Sequence, residues 1–419
     1  MLERKRELFA TVAKAAPPGA RRYWVPGRIE VLGKHTDYAG GRSLLCAVER
    51  GFALAAAPRS DALVRIHDLR RDERIEFDFD AALVPTAGRW ANYPMTVARR
   101  LARNFGGPPS AWKGADIALT SDLPSASGLS SSSALVTAIF LALSDVNDLP
   151  AREQYAHEIR RPEDVAGYLG CIENGYSFGA LLGDTGVGTF GGSEDHTAIL
   201  YAKPNALVQY SFCPVRFERE IPLPADHVFV VAFSGVAAEK TGDALERYNA
   251  LSRAATAVLD LWRRASGRSD PSLGAAIAAV PDAPARIRLM LQEIALRDRF
   301  EQFLEESTEI IPTAAAALAR GDMERFGKIV DYSMDLATRL LGNQIPETVF
   351  LARAARDFGA AAASAFGAGF GGSVWALLPD AAAGDFMARW TEAYAVRFPE
   401  AAKRAEFFLT RAGSAALKL

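Results

Sequence analysis

Hydrophobic side chains recur at helical spacing over large parts of this chain. Residues 3–16 carry them every three or four positions, which predicts an amphipathic helix that ends at Pro17. A second helix of the same kind is predicted to end before Gly106. Residues 151–182 and 237–341 also show this spacing, so much of the second half of the chain is predicted to be helical.

Shorter apolar runs between these helices have the length and alternation of β-strands. They cover residues 27–32, 43–48, 52–57, 62–67, 115–119, 197–201, 227–234, 373–378 and 407–411. The proline-containing stretch Phe212–Pro224 is extended, and a chain of 419 residues is long enough for two domains. We therefore predict an N-terminal domain over residues 1–215 and a C-terminal domain over residues 216–419.

The stretch Leu123–Ala134 lies between a predicted strand and a predicted helix and is rich in Gly and Ser. The first N–H groups of a helix lack internal partners, and the helix dipole attracts negative charge there. Gly128 would let the backbone approach a ligand closely, and the hydroxyls of Ser130–Ser133 could bind a phosphate-linked cation. The alternative is a Ser-rich helix cap without a ligand, because Ser is a favoured capping residue.

Composition narrows the class of protein. Hydrophobic residues make up 49% of the chain and charged residues 23%, and the net charge of -2 favours neither nucleic acid nor an anionic membrane as a partner. The three cysteines, Cys46, Cys171 and Cys213, are too widely spaced for a zinc motif and predict a reducing compartment. The charged N-terminus without an apolar region, and the absence of a long apolar run, predict a cytoplasmic protein.

A dense polar cluster follows the strand that begins at Gly27. His35, Asp37 and Tyr38 lie within four residues of one another, beside glycines, which suits a pocket that hydrogen-bonds several hydroxyl groups. The alternative is a polar turn, since Asp before Gly is common turn chemistry. Arg28 could form a structural ion pair or contact a phosphate or carboxylate.

Further acidic residues and a second Gly-rich stretch are also candidate site residues. Glu194 and Asp195 follow a Gly-rich passage, where a carboxylate could act as a general base toward a hydroxyl or bind a metal, or lie in a solvated turn. Glu173 could bind Mg²⁺ or be an exposed helix residue. Gly367–Gly372 could be a loop that approaches a ligand or a structural turn.

Together these segments resemble the motifs of the GHMP kinases, which include galactokinase, homoserine kinase, mevalonate kinase and phosphomevalonate kinase. Residues 25–38 resemble the galactokinase signature, Leu123–Ala134 the second family motif and Gly367–Gly372 the third, Gly-rich motif. The sequence Trp-Ala-Asn-Tyr at 90–93 and Gly-Ser-Glu-Asp-His at 192–196 also resemble galactokinase segments. The matches occur in the family's order and extend over nearly the whole chain.

The resemblance implies an α+β fold of two domains, with a ribosomal-protein-S5-like N-terminal domain, a ferredoxin-like C-terminal domain and the active site between them. It also implies an ATP- and Mg²⁺-dependent kinase that phosphorylates a monosaccharide at its anomeric hydroxyl, giving sugar 1-phosphate and ADP. We expect a monomer or homodimer whose partners are the sugar and ATP.

The resemblance further implies a role for each matching position. Asp195 would take the proton from the anomeric hydroxyl, and Arg28 would hold Asp195 ionised and offset charge on the transferred phosphoryl group. The sugar would contact Lys34, His35, Asp37, Tyr38 and Gly192. ATP would contact Trp90, Ser125, Ser127, Gly128, Leu129, Ser130, Ser131 and Ser132. Mg²⁺ would bind Ser132 and Glu173, and the C-terminal loop would contribute Gly367, Gly369 and Gly371.

Three features depart from the family's pattern. Lys34 stands where galactokinases have a Glu that contacts the sugar's distal hydroxyl, and an ammonium group favours an anion. We therefore hypothesise a sugar that differs from galactose at C6, such as a uronic acid, with arabinose or fucose as further alternatives. Glu30 replaces the usual Asn. The long spacing from Glu173 to Asp195 leaves Glu194 as a rival for the base.

Two other functions are compatible with the same motifs. One is a GHMP kinase acting on a non-sugar alcohol, which the cluster at residues 35–38 disfavours. The other is a catalytically silent sugar sensor on the same fold. The intact Ser-rich loop and the presence of Arg28 and Asp195 favour an enzyme over a sensor.

Overall fold

The computed structural model describes residues 2–86, 88–107, 111–238 and 242–419. Residues 239–241, part of the long segment predicted to be helical, lie outside the described residues. All bounds, pairings and contacts given below refer to the described residues.

The helices and strands alternate in the first half of the chain, and helices dominate the second half. The helices are α1 (Leu2–Ala15), α2 (Asn92–Phe105), α3 (Ser131–Val146), α4 (Glu153–Glu158), α5 (Pro162–Asn174), α6 (Glu194–Tyr201), α7 (Gly242–Ser266), α8 (Leu273–Ala279), α9 (Ala283–Met290), α10 (Ile294–Glu305), α11 (Ile311–Ala319), α12 (Met323–Leu336), α13 (Pro346–Asp357), α14 (Ala383–Arg397) and α15 (Pro399–Ala402). The strands are β1 (Arg21–Leu32), β2 (Arg42–Pro58), β3 (Leu63–Asp68), β4 (Glu73–Asp78), β5 (Ala115–Ser121), β6 (Ala206–Ser211), β7 (Arg216–Pro222), β8 (His227–Phe233), β9 (Ala362–Phe366), β10 (Ser373–Pro379), β11 (Glu406–Thr410) and β12 (Leu417–Lys418).

The first sheet has eight strands in the described part of the chain. Its main order is β12-β1-β2-β5-β3-β4, and β6 pairs with both β2 and β7. All pairs are antiparallel except β3 with β5. The apolar helix α3 packs on β1 and β2, and its buried Ile139, Phe140 and Leu143 belong to the largest hydrophobic core.

The second sheet has four strands in the order β11-β8-β10-β9, and helices α13 and α14 contribute to its core. A third core forms between α7, α8, α9 and α10, around Trp262, Phe300 and Phe303. Ala39, at the end of the polar cluster, is buried in this third core. The helical region of the second half therefore packs directly on the segment that follows β1.

Strand pairing bears on the position of the domain boundary. A division after residue 215 would separate β7 from β6, although the two strands pair from Ala206 with Pro222 to Ser211 with Arg216. We propose instead that the division lies between Pro222 and His227, where the chain leaves the first sheet for the second. The last strand, β12, returns to the first sheet and pairs with β1.

One predicted element was wrong. Residues 197–201 were predicted to form a strand, but they belong to helix α6. Glu194 and Asp195 lie in the first turn of this helix, where the helix dipole stabilises negative side chains. Thr197, a β-branched residue, donates its hydroxyl proton to the Ser193 carbonyl at 2.8 Å, a bond within the helix.

Most other predicted elements are present. The two strands predicted at 43–48 and 52–57 form one long strand, β2, and the three cysteines are free thiols. Among the described helices, none combines the length and the apolar character that crossing a membrane requires.

The close packing of β1 against the Ser-rich loop gives a stability prediction. A Cβ atom added at Gly27 would lie 2.7 Å from both Leu123 Cδ2 and the Leu129 carbonyl oxygen. Gly27→Ala should lower the free energy of unfolding by about 1–3 kcal/mol, because the core there is already filled. Urea unfolding measures this change.

Gly384→Ala is the matched control. Gly384 lies in α14 with nothing within 4 Å of an added Cβ, so this variant should be unchanged or more stable by up to about 1 kcal/mol. Equal stability of the two variants would contradict the packing argument.

Candidate active site

A cavity of about 400 Å³ lies where the Ser-rich loop after β5, the segment after β1 and the turn before β10 meet. Residues of both halves of the chain line it, which places the site between the two sheets. The predicted site residues that line it are Arg28, His35, Asp37, Tyr38, Trp90, Ser125, Gly128, Ser130, Ser131, Ser132, Glu173, Gly192, Asp195 and Gly367.

The Ser-rich loop leads into the N-terminus of α3. Ala126, Gly128 and Ser130 have φ values of 51°, 81° and 57°, which turn the chain sharply before the helix begins. Ser130 is the N-cap residue, yet its side chain makes no capping hydrogen bond. A purely structural Ser cap therefore does not account for the loop, and the helix N-terminus at the cavity is suited to an anion.

Two loops from opposite halves of the chain hold each other in place. Ser373 donates its hydroxyl proton to the Ser127 carbonyl at 2.6 Å, and the Ala238 amide donates to the Ala126 carbonyl at 2.9 Å. These bonds fix the Ser-rich loop against the second sheet.

Arg28 and Asp195 form a nearly buried ion pair beside this loop. Arg28 Nε and Nη2 lie 2.7 and 2.6 Å from Asp195 Oδ1, and Ser133 Oγ lies 3.2 Å from Asp195 Oδ2. Arg28 Nη1 also donates to the Gly128 carbonyl. Burial acts to lower the pKa of Arg28, but the carboxylates of Asp195 and Glu194 outweigh it, so the pKa is raised and Arg28 stays charged.

Asp37 is anchored to the start of α6. The Glu194 amide donates to Asp37 Oδ2 at 3.0 Å, and burial is the main reason why the pKa of Asp37 is raised to about 6. Gly192 lies against the same carboxylate, since an added Cβ would be 2.4 Å from Asp37 Oδ2. Only glycine fits at position 192 without moving Asp37.

The hydrogen bonds of His35 define its tautomer. Nε2 lies 3.0 Å from the Ala368 carbonyl, which can only accept, so Nε2 carries the proton. In the neutral ring, Nδ1 lies 3.0 Å from the Tyr38 hydroxyl and accepts from it. The Tyr38 hydroxyl in turn accepts from Arg299 at 3.2 Å. His35 is thereby fixed against the Gly-rich turn of the second half.

Two further carboxyl groups are buried next to this site. Glu30 Oε2 accepts from the Gly367 amide at 3.2 Å, and Glu194 Oε2 accepts from Ser43 Oγ at 2.7 Å. Burial raises the pKa of Glu30 to about 7, although Lys34 and Arg28 oppose this effect. Burial, reinforced by Glu30 and Asp37, raises the pKa of Glu194 well above its usual value.

The structure does not support Lys34 as a sugar ligand. Its side chain is buried outside the cavity lining, and Nζ lies 3.4 Å from Ser333 Oγ. Ser333 donates to Glu306 Oε2 at 2.8 Å, so the ammonium group belongs to a polar cluster behind the cavity wall.

Four other predicted ligands also lie outside the cavity lining. Ser127 is buried and donates its hydroxyl proton to the Pro124 carbonyl, and Leu129 is buried in the largest core. Gly369 packs against Asn343, and Gly371 packs against the backbone at residues 236–237. These residues belong to the two loops that border the cavity, and we propose that they support the loops rather than contact a ligand.

The predicted metal ligands fit a cation that is also held by phosphate. Glu173 lines the cavity, and its buried Oε1 has no hydrogen-bond partner among the described residues, with His196 Nε2 3.7 Å away. Ser132 lines the cavity as well. Within the described ranges no set of three or more His, Cys, Asp or Glu side chains is arranged to hold a metal. Mg²⁺ often takes one or two carboxylates and completes its shell with water and phosphate oxygens.

Several cavity residues were not predicted from the sequence. Tyr248, on α7, lines the cavity with its ring 5.0 Å from that of His35. Arg70 and Arg71 line it from the turn after β3, where Arg71 pairs with Asp68 at 2.5 Å. A tyrosine in a long helix and arginines in a charged turn have no distinguishing pattern, so no signal in the chain could have identified them.

Solved structures with the same fold include two kinases. The crystal structure of Lactococcus lactis galactokinase complexed with galactose matches with a TM-score of 0.80 at 22% identity, over 100% of both chains. The Methanococcus jannaschii mevalonate kinase matches with a TM-score of 0.57 at 13% identity, over 95% of this chain and 100% of that chain. These likenesses confirm the predicted two-domain α+β fold.

Curated relatives include several galactokinases. That of Actinobacillus pleuropneumoniae is 37% identical over 131 residues, 31% of this chain and 33% of that protein, so the match spans about a third of the relative's length. That of Chloroflexus aurantiacus is 28% identical over 389 residues, 91% of this chain and 89% of that protein.

Three family models match the chain in the order of the predicted motifs. The galactokinase galactose-binding signature matches residues 7–58, the GHMP kinases N terminal domain matches 92–171 and the GHMP kinases C terminal model matches 314–396. They contain, respectively, the polar cluster after β1, the Ser-rich loop and the Gly-rich turn. The predicted resemblance is confirmed: the chain carries the N-terminal and C-terminal domains of the GHMP kinases together with the galactokinase galactose-binding signature.

Proposed function

We propose that the protein transfers the terminal phosphoryl group of ATP to the anomeric hydroxyl of a galactose-like monosaccharide, giving sugar 1-phosphate and ADP. The observation that carries the proposal is the Arg28–Asp195 pair. It lies in one cavity with the N-terminus of α3 on one side and the polar cluster at residues 35–38 on the other. The matching family models and the curated galactokinase relatives agree with this reaction.

The phosphates of ATP would lie at the N-terminus of α3, against Gly128 and Ser130–Ser132. Backbone N–H groups there match phosphate oxygens in charge and position. Glu173 and Ser132 would hold Mg²⁺, which supplies positive charge to the phosphates when bound. Trp90, which also lines the cavity, would contact the nucleotide base.

Asp195 is the better candidate for the base. Both carboxyl groups line the cavity, but Asp195 pairs with Arg28, whereas Glu194 accepts from Ser43 Oγ. The raised pKa of Glu194 favours its protonated form, which cannot accept a proton from the sugar. Arg28 would also offset negative charge on the transferred group, and phosphoryl transfer depends mainly on such charge stabilisation and on positioning.

The charges around the cavity favour a neutral sugar over a uronic acid. Lys34, the residue that suggested an anionic substrate, lies outside the cavity lining. The carboxyl groups of Asp37, Asp195, Glu30 and Glu194 line the cavity instead. Arg28 and Arg71 are already paired with Asp195 and Asp68, and a sugar carboxylate beside the polar cluster would meet the carboxyl group of Asp37, which is electrostatically unfavourable. A cytoplasmic location and a monomeric or homodimeric state stay predictions.

The first prediction concerns the base. Asp195→Asn should reduce turnover by about 100-fold or more, since a positioned base typically contributes ~10²–10⁴-fold. Glu194→Gln keeps the contact to Ser43 and should retain measurable turnover. Steady-state ATP turnover with galactose measures both, and calorimetric titration with ATP checks that nucleotide binding is preserved in Asp195→Asn. Near-normal rates in Asp195→Asn, together with loss in Glu194→Gln, would assign the base to Glu194.

The second prediction concerns the substrate. With ATP and Mg²⁺, we expect turnover of galactose or a neutral relative such as arabinose or fucose, and little turnover of glucose, galacturonate or glucuronate. Lys34→Met should leave the order of preference unchanged, because the ammonium group does not line the cavity. A preference for a uronate that disappears in Lys34→Met would restore Lys34 as a ligand. Sugar binding without ATP consumption would indicate a sensor.

The third prediction concerns pH. Between the ordinary pKa of a glutamate and about 7, the folded state holds a proton on Glu30 that the unfolded state has lost. The proton on Glu30 therefore stabilises the folded state at low pH, and this contribution to the free energy of unfolding is lost as pH rises through this window. Glu30→Gln removes this contribution, so the stability of the variant relative to the wild type should rise from about pH 5 to about pH 8.

Urea unfolding at several pH values measures this effect. Glu324→Gln is the control, because Glu324 is 80% exposed and pairs with Lys328 at the surface. The free energy of unfolding of this control should change with pH in the same way as that of the wild type. The same change with pH in Glu30→Gln as well would contradict a proton held on Glu30 at neutral pH.

A further inference from the structure

One face of α10 and of the π-helical turn after it lies against the backbone of residues 33–35. Arg299, Gln302 and Glu306 are spaced by three and four positions, so their side chains lie on the same side of the helix. All three are almost completely buried, at 1%, 1% and 0% relative exposure. None of them lines the cavity.

Each of these three side chains contacts a different residue of the segment. Glu306 Oε1 accepts from the Gly33 amide at 2.9 Å, and Gln302 Nε2 donates to the Lys34 carbonyl at 3.2 Å. Arg299 Nη2 donates to the carbonyl of the next residue, His35. The contacts therefore follow the backbone residue by residue along the helix.

The same side chains also support one another. Arg299 Nη1 donates to Gln302 Oε1 at 2.7 Å, which orients the Gln302 amide with its NH₂ group toward Lys34. Ser333 donates to Glu306 and accepts from the Lys34 ammonium group at 3.4 Å. The charge of Lys34 thus joins the network of Glu306 behind the segment.

The segment has a conformation that needs such support. His35 has a φ of 58°, in the left-handed region that residues other than glycine seldom adopt, and Gly33 has a φ of 123°. Conformations of this kind cost of order 1–3 kcal/mol and persist where the surrounding structure holds them. The result is that His35, Asp37 and Tyr38 all reach the cavity.

We propose that Arg299, Gln302 and Glu306 are positioning residues, which set the affinity for the sugar by holding residues 33–38 in the conformation that presents their side chains to the cavity. The inference rests on the proposed sugar kinase function for its effect on catalysis. The conformational part of the inference can be measured independently of any activity.

The test is Gln302→Leu in the full-length protein. Leucine fills a similar volume but cannot donate to Lys34 or accept from Arg299. We expect KM for galactose, or for the sugar that the panel selects, to rise by about three- to ten-fold, as expected for lost hydrogen bonds. KM for ATP should stay within about two-fold, because the Ser-rich loop is held by other contacts. Gln302→Glu keeps the contact with Arg299 but loses the donor to Lys34, so it should raise KM for the sugar as well.

Thr308→Val is the matched control on the next turn. Its hydroxyl donates within the helix, to the Leu304 carbonyl at 2.8 Å, and the variant should leave both KM values unchanged. Hydrogen–deuterium exchange on the same three variants reports the conformation directly. Peptides covering residues 33–41 should exchange faster in Gln302→Leu and Gln302→Glu, while peptides covering residues 123–134 should be unchanged.

The outcomes separate this inference from the proposed function. Unchanged exchange at residues 33–41, or equal changes in KM for sugar and ATP, would overturn the positioning role. If the wild type turns over no sugar of the panel, the proposed function fails. Faster exchange confined to residues 33–41 would then still support the structural role of Gln302.

Discussion

The ion pair between Arg28 and Asp195 is the contact around which the site is arranged. Arg28 lies on β1, Asp195 on the first turn of α6, and the Arg28 side chain also donates to the Gly128 carbonyl of the Ser-rich loop. A buried ion pair is a weak source of stability, because both charges lose their hydration. Its presence at the junction of three segments is therefore better explained by chemistry, since it keeps a carboxylate and a guanidinium together in one cavity.

The pair also imposes an electrostatic constraint on its surroundings. Three further carboxyl groups, those of Glu30, Asp37 and Glu194, lie in the same region. Arg28 and Lys34 are the nearby cations that lower the pKa of Glu30. Such an excess of acid is tolerable only if some of the groups hold protons, which agrees with the raised pKa of Glu30 and of Glu194. The carboxylate paired with Arg28 is then the one best suited to stay ionised.

The sequence predicted the parts of this site that are contiguous in the chain. Read alone, the loop at 123–134 and the cluster at 35–38 each had a structural alternative, and their resemblance to the GHMP kinase motifs in the family's order decided between the two. The strand predicted at 197–201 was wrong because five residues cannot distinguish a short helix from a strand. Tyr248 and Arg299 could not be predicted, because their roles depend on pairing between elements more than 200 residues apart, and neither stands in a recognisable pattern.

Lys34 illustrates why a departure from a family motif needs its structural context. Read alone, a lysine in place of a carboxylate indicates an anionic ligand. In the structure, its ammonium contacts Ser333, which donates to Glu306, and Glu306 accepts from the amide of Gly33. The lysine thus belongs to the network behind the cavity wall, and we propose that recognition is left to side chains that line the cavity. A motif position can change its role in this way when a distant buried residue supplies the complementary charge.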